Sequence, residues 1–253
     1  MNRNLVKYTG ITDQEIKFYH KYGYLLLPGF INDQYIDKLK KEALESLELK
    51  GVSRDQLFNA TEAADKLRNS NEYYENSLLD ELINGDNTLK VASLLIGGKA
   101  IRYFPFVVAK SGGGGGKFHM HQDNNYTQHK PAEGSLNIWV ALVDMHPDNG
   151  CLQIVPGSNN SGVLDWENAG DGDDHRKVRD NFEEVFPLRM RAGDAVAFTR
   201  LTVHGSGPNS TKDPRIAYAL QYHREDVKYL NHEKNQWHKL TDVPEFDFKP
   251  RKR

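Results

Sequence analysis

The sequence predicts an α+β chain in which a helical N-terminal third packs on a mainly β, sandwich- or barrel-like core. Three observations predict it. Residues 1–98 carry helix-capping signals and helical spacing of apolar residues. After Gly97-Gly98 the pattern changes to short runs rich in aromatic and β-branched residues. Turn residues, not further helices, punctuate those runs.

Thr12 and Glu15 form a capping-box pattern that opens a helix running to about Tyr22. Gly23 breaks it, and Tyr24 to Pro28 reads as a short strand. Ile31-Asn32-Asp33 starts a second helix through about Leu47, with apolar residues at Tyr35, Ile36, Leu39 and Ala43. Residues 52–98 read as mostly helical. Ile101 to Lys110 reads as a strand, and Ser111 to Lys117 as a glycine-rich loop. Strands are expected near 118–123, 135–144, 151–155, 187–191, 194–199 and 215–224. The long stretch 158–186 is expected to be irregular and to act as a mobile flap. No repeat or boundary divides the chain, so 1–253 is expected to be one domain: helices over 1–98, core over 99–225, and a C-terminal extension over 226–253.

A net charge of −2 gives no global attraction to nucleic acid or to anionic membrane, and neither is expected as a partner. The basic tail Lys249 to Arg253 reads as solvated. One cysteine, Cys151, excludes an intrachain disulfide. With no apolar leader and no spanning stretch, the expectation is a soluble cytoplasmic protein.

The chemistry concentrates around Phe118-His119-Met120-His121-Gln122-Asp123. On a strand, residues two apart share a face, so His119, His121 and Asp123 can point together. Two imidazoles and a carboxylate on one side of a metal suit non-haem Fe(II), leaving positions open for other ligands. A second match, His146-Pro147-Asp148, runs into Asn149-Gly150 and reads as a surface turn. His204, in the segment Leu201 to Asn209, is a candidate third ligand. Downstream, alternation puts Arg215, Ala217, Ala219 and Gln221 on one face and Ile216, Tyr218, Leu220 and Tyr222 on the other. The second face suits packing. The first suits a pocket wall whose guanidinium can grip a carboxylate in bidentate fashion. Tyr126, Asn124 and Gln221 are candidates for the substrate-facing wall.

These motifs resemble the phytanoyl-CoA dioxygenase family of Fe(II)/2-oxoglutarate-dependent oxygenases. His121-Gln122-Asp123-Asn124-Asn125-Tyr126 is similar to its iron motif, and Trp139-Val140-Ala141-Leu142 to its next core strand. Asn149 to Ser158 is similar to the following strand and turn, and His204 to Asn209 with Arg215 to its distal motif. The opening, Gly23-Tyr24 to Pro28-Gly29-Phe30, also fits. The resemblance implies a double-stranded β-helix, a jelly roll of the cupin type, with helices packed on one sheet. It implies iron on His121, Asp123 and His204, and 2-oxoglutarate held at its far carboxylate by Arg215 with Ser206. It places Trp139 along the co-substrate pocket, with Asn137 beside it by alternation, and offers Lys66 as a further contact. The implied reaction uses O2 to hydroxylate an unactivated C–H bond of a small molecule, converting 2-oxoglutarate to succinate and CO2.

The sequence departs from the family where Asn159 stands in place of a frequent His, and in the long glycine run at 112–116. Asp123 keeps the carboxylate that halogenating relatives lack. The polar run Gln122 to Gln128 favours a small polar substrate; an acyl-CoA 2-hydroxylase is the alternative within the family. Outside it, the alternatives are a cupin-like isomerase or metal binder using His119 with His121, and a scaffold without turnover.

Overall fold

The computed structural model describes residues 3–8, 10–59, 67–170, 175–242 and 249–252. Five α-helices are described: α1 Asp13–Tyr22, α2 Ile36–Leu49, α3 Arg54–Phe58, α4 Leu78–Asn84 and α5 Asp86–Ile96. The first strands are β1 Tyr24–Leu27, β2 Leu67–Ser70, β3 Ala100–Lys110, β4 Phe118–His121 and β5 His129–Lys130. The next are β6 Ser135–Ala141, β7 Leu152–Ile154, β8 Trp166–Asn168, β9 Arg176–Val178 and β10 Phe186–Pro187. The last are β11 Ala195–Thr199, β12 His204–Ser206, β13 Arg215–Arg224, β14 Lys228–Asn231 and β15 Gln236–Lys239.

Two antiparallel sheets face each other as a jelly roll. One has six strands in the order β1-β11-β6-β13-β3-β2, the other four in the order β10-β7-β12-β4. Alternation divides the six-stranded sheet into two working faces. Val107, Ala109, Ile138, Val140, Ile216, Tyr218, Leu220 and Tyr222 point outward into a core shared with Leu39, Leu47, Leu82, Val91 and Leu95 of the helices. Val108, Trp139, Ala141, Phe198, Ala217 and Ala219 point inward and meet Leu152 and Ile154 of the other sheet. The helices thus cover one face and leave the opposite face free to line a site.

The start of the chain is fastened to the segment that carries His204. Helix α1 opens with the full Thr12–Glu15 capping box and closes at Gly23, whose φ of 81° lies in the left-handed region. The Gly23 carbonyl accepts the Thr202 hydroxyl at 2.6 Å and the Thr199 N–H at 3.0 Å. A Cβ at position 23 would lie 2.5 Å from Thr202 Oγ1. Gly23→Ala therefore combines positive-φ strain with a clash, and should lower unfolding free energy by roughly 1–3 kcal/mol in a urea titration.

Four sequence expectations are corrected. Residues 52–98 are not mainly helical throughout, because β2 pairs with β3 as an edge strand, Leu67 opposite Lys110. Pairing with an established strand overrides weak local propensity there. The strand expected over 118–123 ends at His121, and Asp123 opens a 3-10 turn. The strand expected over 187–191 shrinks to Phe186–Pro187 plus an isolated bridge between Met145 and Met190. The segment 158–186 is not wholly irregular: it holds the β8–β9 hairpin, while its residues 171–174 lie outside those described. In the basic tail, Arg251 is anchored, with Nε 2.6 Å from Glu72 Oε2 and its N–H donating to the Tyr73 carbonyl. The His146 motif forms the expected turn, with Gly150 left-handed at its end. No described helix is long and apolar enough to cross a membrane.

Candidate metal centre

Strands β4 and β12 lie side by side, with His121 opposite His204. The 3-10 turn after β4 swings Asp123 back toward both rings. Asp123 Oδ1 lies 3.8 Å from His121 Nε2 and 3.6 Å from His204 Nε2. The three donor atoms fall within 4.8 Å of one another, and among the described residues no other group of three His, Cys, Asp or Glu does so.

The donor set fits a divalent transition metal. Each ring's Nδ1 faces a backbone carbonyl, His121 toward His119 at 2.7 Å and His204 toward Thr202 at 3.0 Å. A carbonyl only accepts, so Nδ1 carries the proton and the Nε2 lone pair faces Asp123. Burial first, and then the neighbouring His204, push the His121 imidazole down to about 3, the neutral form a ligand needs. Burial acts to raise the Asp123 carboxyl. His204, Arg200, His121 and the Asn137 hydrogen bond outweigh it and hold the group below its usual value. The Asn137 amide donates to Asp123 Oδ2 at 3.0 Å. Asn137→Ala frees that carboxylate to rotate, and Fe(II) affinity should fall about 10–100-fold in a metal titration.

His119 supplies a carbonyl to His121, and its ring is outside the cluster. The alternative built on a His119–His121 pair is thereby corrected: strand alternation stops where the 3-10 turn begins.

A cavity of about 630 Å³ opens between the sheets beside the cluster. Trp139, Ser206 and Arg215 line one part of it. Arg215 is 3% exposed and its guanidinium carbon stands 5.3 Å from the Trp139 ring centre. Sequence reasoning missed the residue beside it. Lys110 is fully buried opposite Arg215 in the sheet, and its ammonium donates to Ser206 Oγ at 2.6 Å and to the Gly207 carbonyl. Burial and the nearby Arg215 push Lys110 down to about 6, and burial lowers Arg215 to about 10. Among the described residues no carboxylate pairs with either side chain. A buried guanidinium without a counter-ion, beside a lysine that burial keeps from charging, is costly unless an anion is the intended occupant. Because Lys110 donates to Ser206, the serine's own hydrogen is left for an incoming acceptor.

Tyr126 and Gln221 line the cavity. The Tyr126 hydroxyl also accepts the Arg176 N–H at 2.9 Å, tying the β8–β9 hairpin to the wall. Asn124 does not line it. The 3-10 turn buries its side chain, whose Oδ1 accepts the His129 N–H at 2.8 Å, so the reading of Asn124 as a substrate contact is corrected to turn support. Asn137 does line the cavity, but its recorded contact is with Asp123. Lys66 lies outside the described residues.

The family model for phytanoyl-CoA dioxygenase matches residues 19–217. Human peroxisomal phytanoyl-CoA dioxygenase is 24% identical over 241 residues, covering 87% of this chain and 71% of that protein. L-Proline trans-4-hydroxylase of Streptomyces griseoviridis is 26% identical over 233 residues, covering 81% and 84%. The non-haem α-ketoglutarate-dependent carbocyclase SnoK from nogalamycin biosynthesis shares the fold, with a TM-score of 0.69, 20% identity and 87% of each chain covered. The chain belongs to the phytanoyl-CoA dioxygenase family and is a 2-oxoglutarate-dependent non-haem iron dioxygenase that uses Fe(II), 2-oxoglutarate and O2.

Proposed function

We propose that this chain hydroxylates an unactivated C–H bond of a small molecule, with His121, Asp123 and His204 holding Fe(II) and Arg215, Lys110 and Ser206 anchoring the far carboxylate of 2-oxoglutarate. The observation that carries this reading is the pairing of a three-donor cluster with the unpaired, buried Arg215 guanidinium along one cavity, backed by Lys110 through Ser206. When bound, iron with 2-oxoglutarate and O2 supplies the oxidising chemistry, and the co-substrate departs as succinate and CO2.

The chain's own residues do the positioning. Arg215 offers a planar fork that matches a carboxylate in two parallel hydrogen bonds. Trp139 packs beside that fork and limits where a five-carbon diacid can lie. His121 and His204 keep a proton on Nδ1 and turn Nε2 toward Asp123. Asn137 keeps one Asp123 oxygen occupied, so the other faces the histidines. Phe118 and Phe198 line the cavity on its apolar side and reduce water around the reacting bond.

The relatives span an acyl-CoA dioxygenase and a free amino-acid hydroxylase. The polar groups at the Gln221 end of the cavity favour the second kind of substrate. We read residues 1–253 as one catalytic domain, with 1–98 bracing the sheet, 99–225 forming the core and 226–253 extending it. The reduced, buried thiol of Cys151 suits a cytoplasmic enzyme.

The test is an anaerobic 2-oxoglutarate titration across pH. Without ligand Lys110 titrates near 6, far below its usual value. A bound carboxylate raises that value, so between the two pKa values binding takes up a proton. Affinity should therefore strengthen as pH falls from 9 to 7, by up to about tenfold per unit, and Lys110→Met should flatten the slope. Absence of 2-oxoglutarate binding at any pH would contradict the assignment.

A further inference from the structure

The cavity has a second cationic end that co-substrate binding does not use. Arg200 follows β11 and lines the cavity with Asp123, Thr127 and Tyr103. It is only 4% exposed. Its Nη2 donates to the Asp123 and Thr127 carbonyls, each at 2.9 Å. Its Nε is buried with no partner, and among the described residues no carboxylate forms an ion pair with it. The guanidinium carbon stands 6.0 Å from the Tyr103 ring centre.

Sheet register separates this end from the co-substrate end. Arg215 and Gln221 are the first and seventh residues of β13, about 20 Å apart along the strand. Gln221 pairs with Asn137, whose side chain holds Asp123. Thr199, just before Arg200, pairs with Leu136 next to Asn137. Arg200 therefore belongs to the Gln221 end, while Arg215, Lys110 and Ser206 form the other. The metal cluster stands between them. At the Arg200 end the wall is aromatic, with Tyr103, Phe104 and Tyr126.

We propose that the substrate carries an oxyanion, a carboxylate or a phosphonate, which Arg200 receives so that an adjacent C–H bond lies over the metal cluster. The inference deepens the proposed function and rests on it. A buried guanidinium with a free donor recognises an oxyanion by charge-assisted hydrogen bonds, and the aromatic wall takes the rest of a small molecule. The backbone contacts of Arg200 alone do not account for it: they are two neutral carbonyls, and the carboxylate whose charge it feels, Asp123, is already committed to the metal cluster, while Nε stays without a partner.

The experiment measures binding to the anaerobic Mn(II)–2-oxoglutarate complex of the full chain. The probes are small carboxylic acids, alkylphosphonic acids, and the neutral amide or alcohol matching each. Acids should bind about ten- to a hundred-fold more tightly than their neutral partners. The carboxylate and phosphonate arms show which oxyanion the site prefers. Arg200→Met should collapse the acid-over-amide ratio to within a few-fold, and Arg200→Lys should restore part of it. A purely structural arginine would change both members of each pair alike. Equal binding of acids and neutral partners by the unmodified enzyme, or no binding of any acid at millimolar concentration, overturns the inference even where Arg200→Met fails to fold. Failure of the unmodified enzyme to bind 2-oxoglutarate is a different result and overturns the proposed function with it.

Discussion

Replacing Arg215 by Met should raise the dissociation constant for 2-oxoglutarate by roughly a hundred-fold or more, while the ligand-free protein keeps its stability or gains some. The two halves of this result have one cause. Arg215 is buried, its Nε has no partner, and among the described residues it pairs with no carboxylate. Without ligand its charge costs desolvation energy with little return, and an apolar side chain of similar length removes that cost. With ligand, the same charge sits in a bidentate pair in a dry site, and truncating such a partner costs about 2–5 kcal/mol. Thermal denaturation with and without 2-oxoglutarate separates the halves. The unmodified protein should gain melting temperature on adding the diacid, and the variant should not. A variant destabilised without ligand and still stabilised by 2-oxoglutarate would place the diacid elsewhere.

His204→Ala should abolish iron-dependent succinate formation, lowering turnover by more than about a hundred-fold, beyond what loss of an outer partner such as Asn137 costs. The fold should survive, because β12 is held by main-chain pairing to β4 on one side and β7 on the other. Metal content after desalting and succinate release by the same sample give the two readouts. Retention of iron at the level of the unmodified protein would show that His204 is not a ligand.

Much of this site was legible from pattern alone. Alternation over Arg215 to Tyr222 divides a packed face from a cavity face, because β13 pairs with β6 without a register shift from Ala217 to His223 and so keeps its period of two. The capping box at Thr12 and the break at Gly23 are local chemistry and fall where local chemistry puts them. What failed depended on where strands end. Asp123 reaches the histidines through a 3-10 turn, whereas strand alternation groups it with His119 on a continuous strand that ends two residues earlier. The same turn buries Asn124, which a polar run had suggested for the substrate wall.

Lys110 was overlooked because a lysine closing a strand ordinarily reaches solvent. A signal was nevertheless present. Lys110 shares parity with Phe104, Phe106 and Val108, all of which line the cavity, so alternation already pointed it inward. Arg200 carried no pattern signal, since its placement comes from the turn between β11 and β12. β2 was misread because its strand state depends on β3, a partner some forty residues away.

The most direct measurement is an anomalous difference map from crystals soaked anaerobically with Fe(II) and 2-oxoglutarate. The account predicts one iron peak bounded by Nε2 of His121, Nε2 of His204 and the Asp123 carboxylate, with the distal carboxylate of the diacid on Arg215. Iron coordinated by the His119 ring, or a diacid bound away from Arg215 and Lys110, would contradict it.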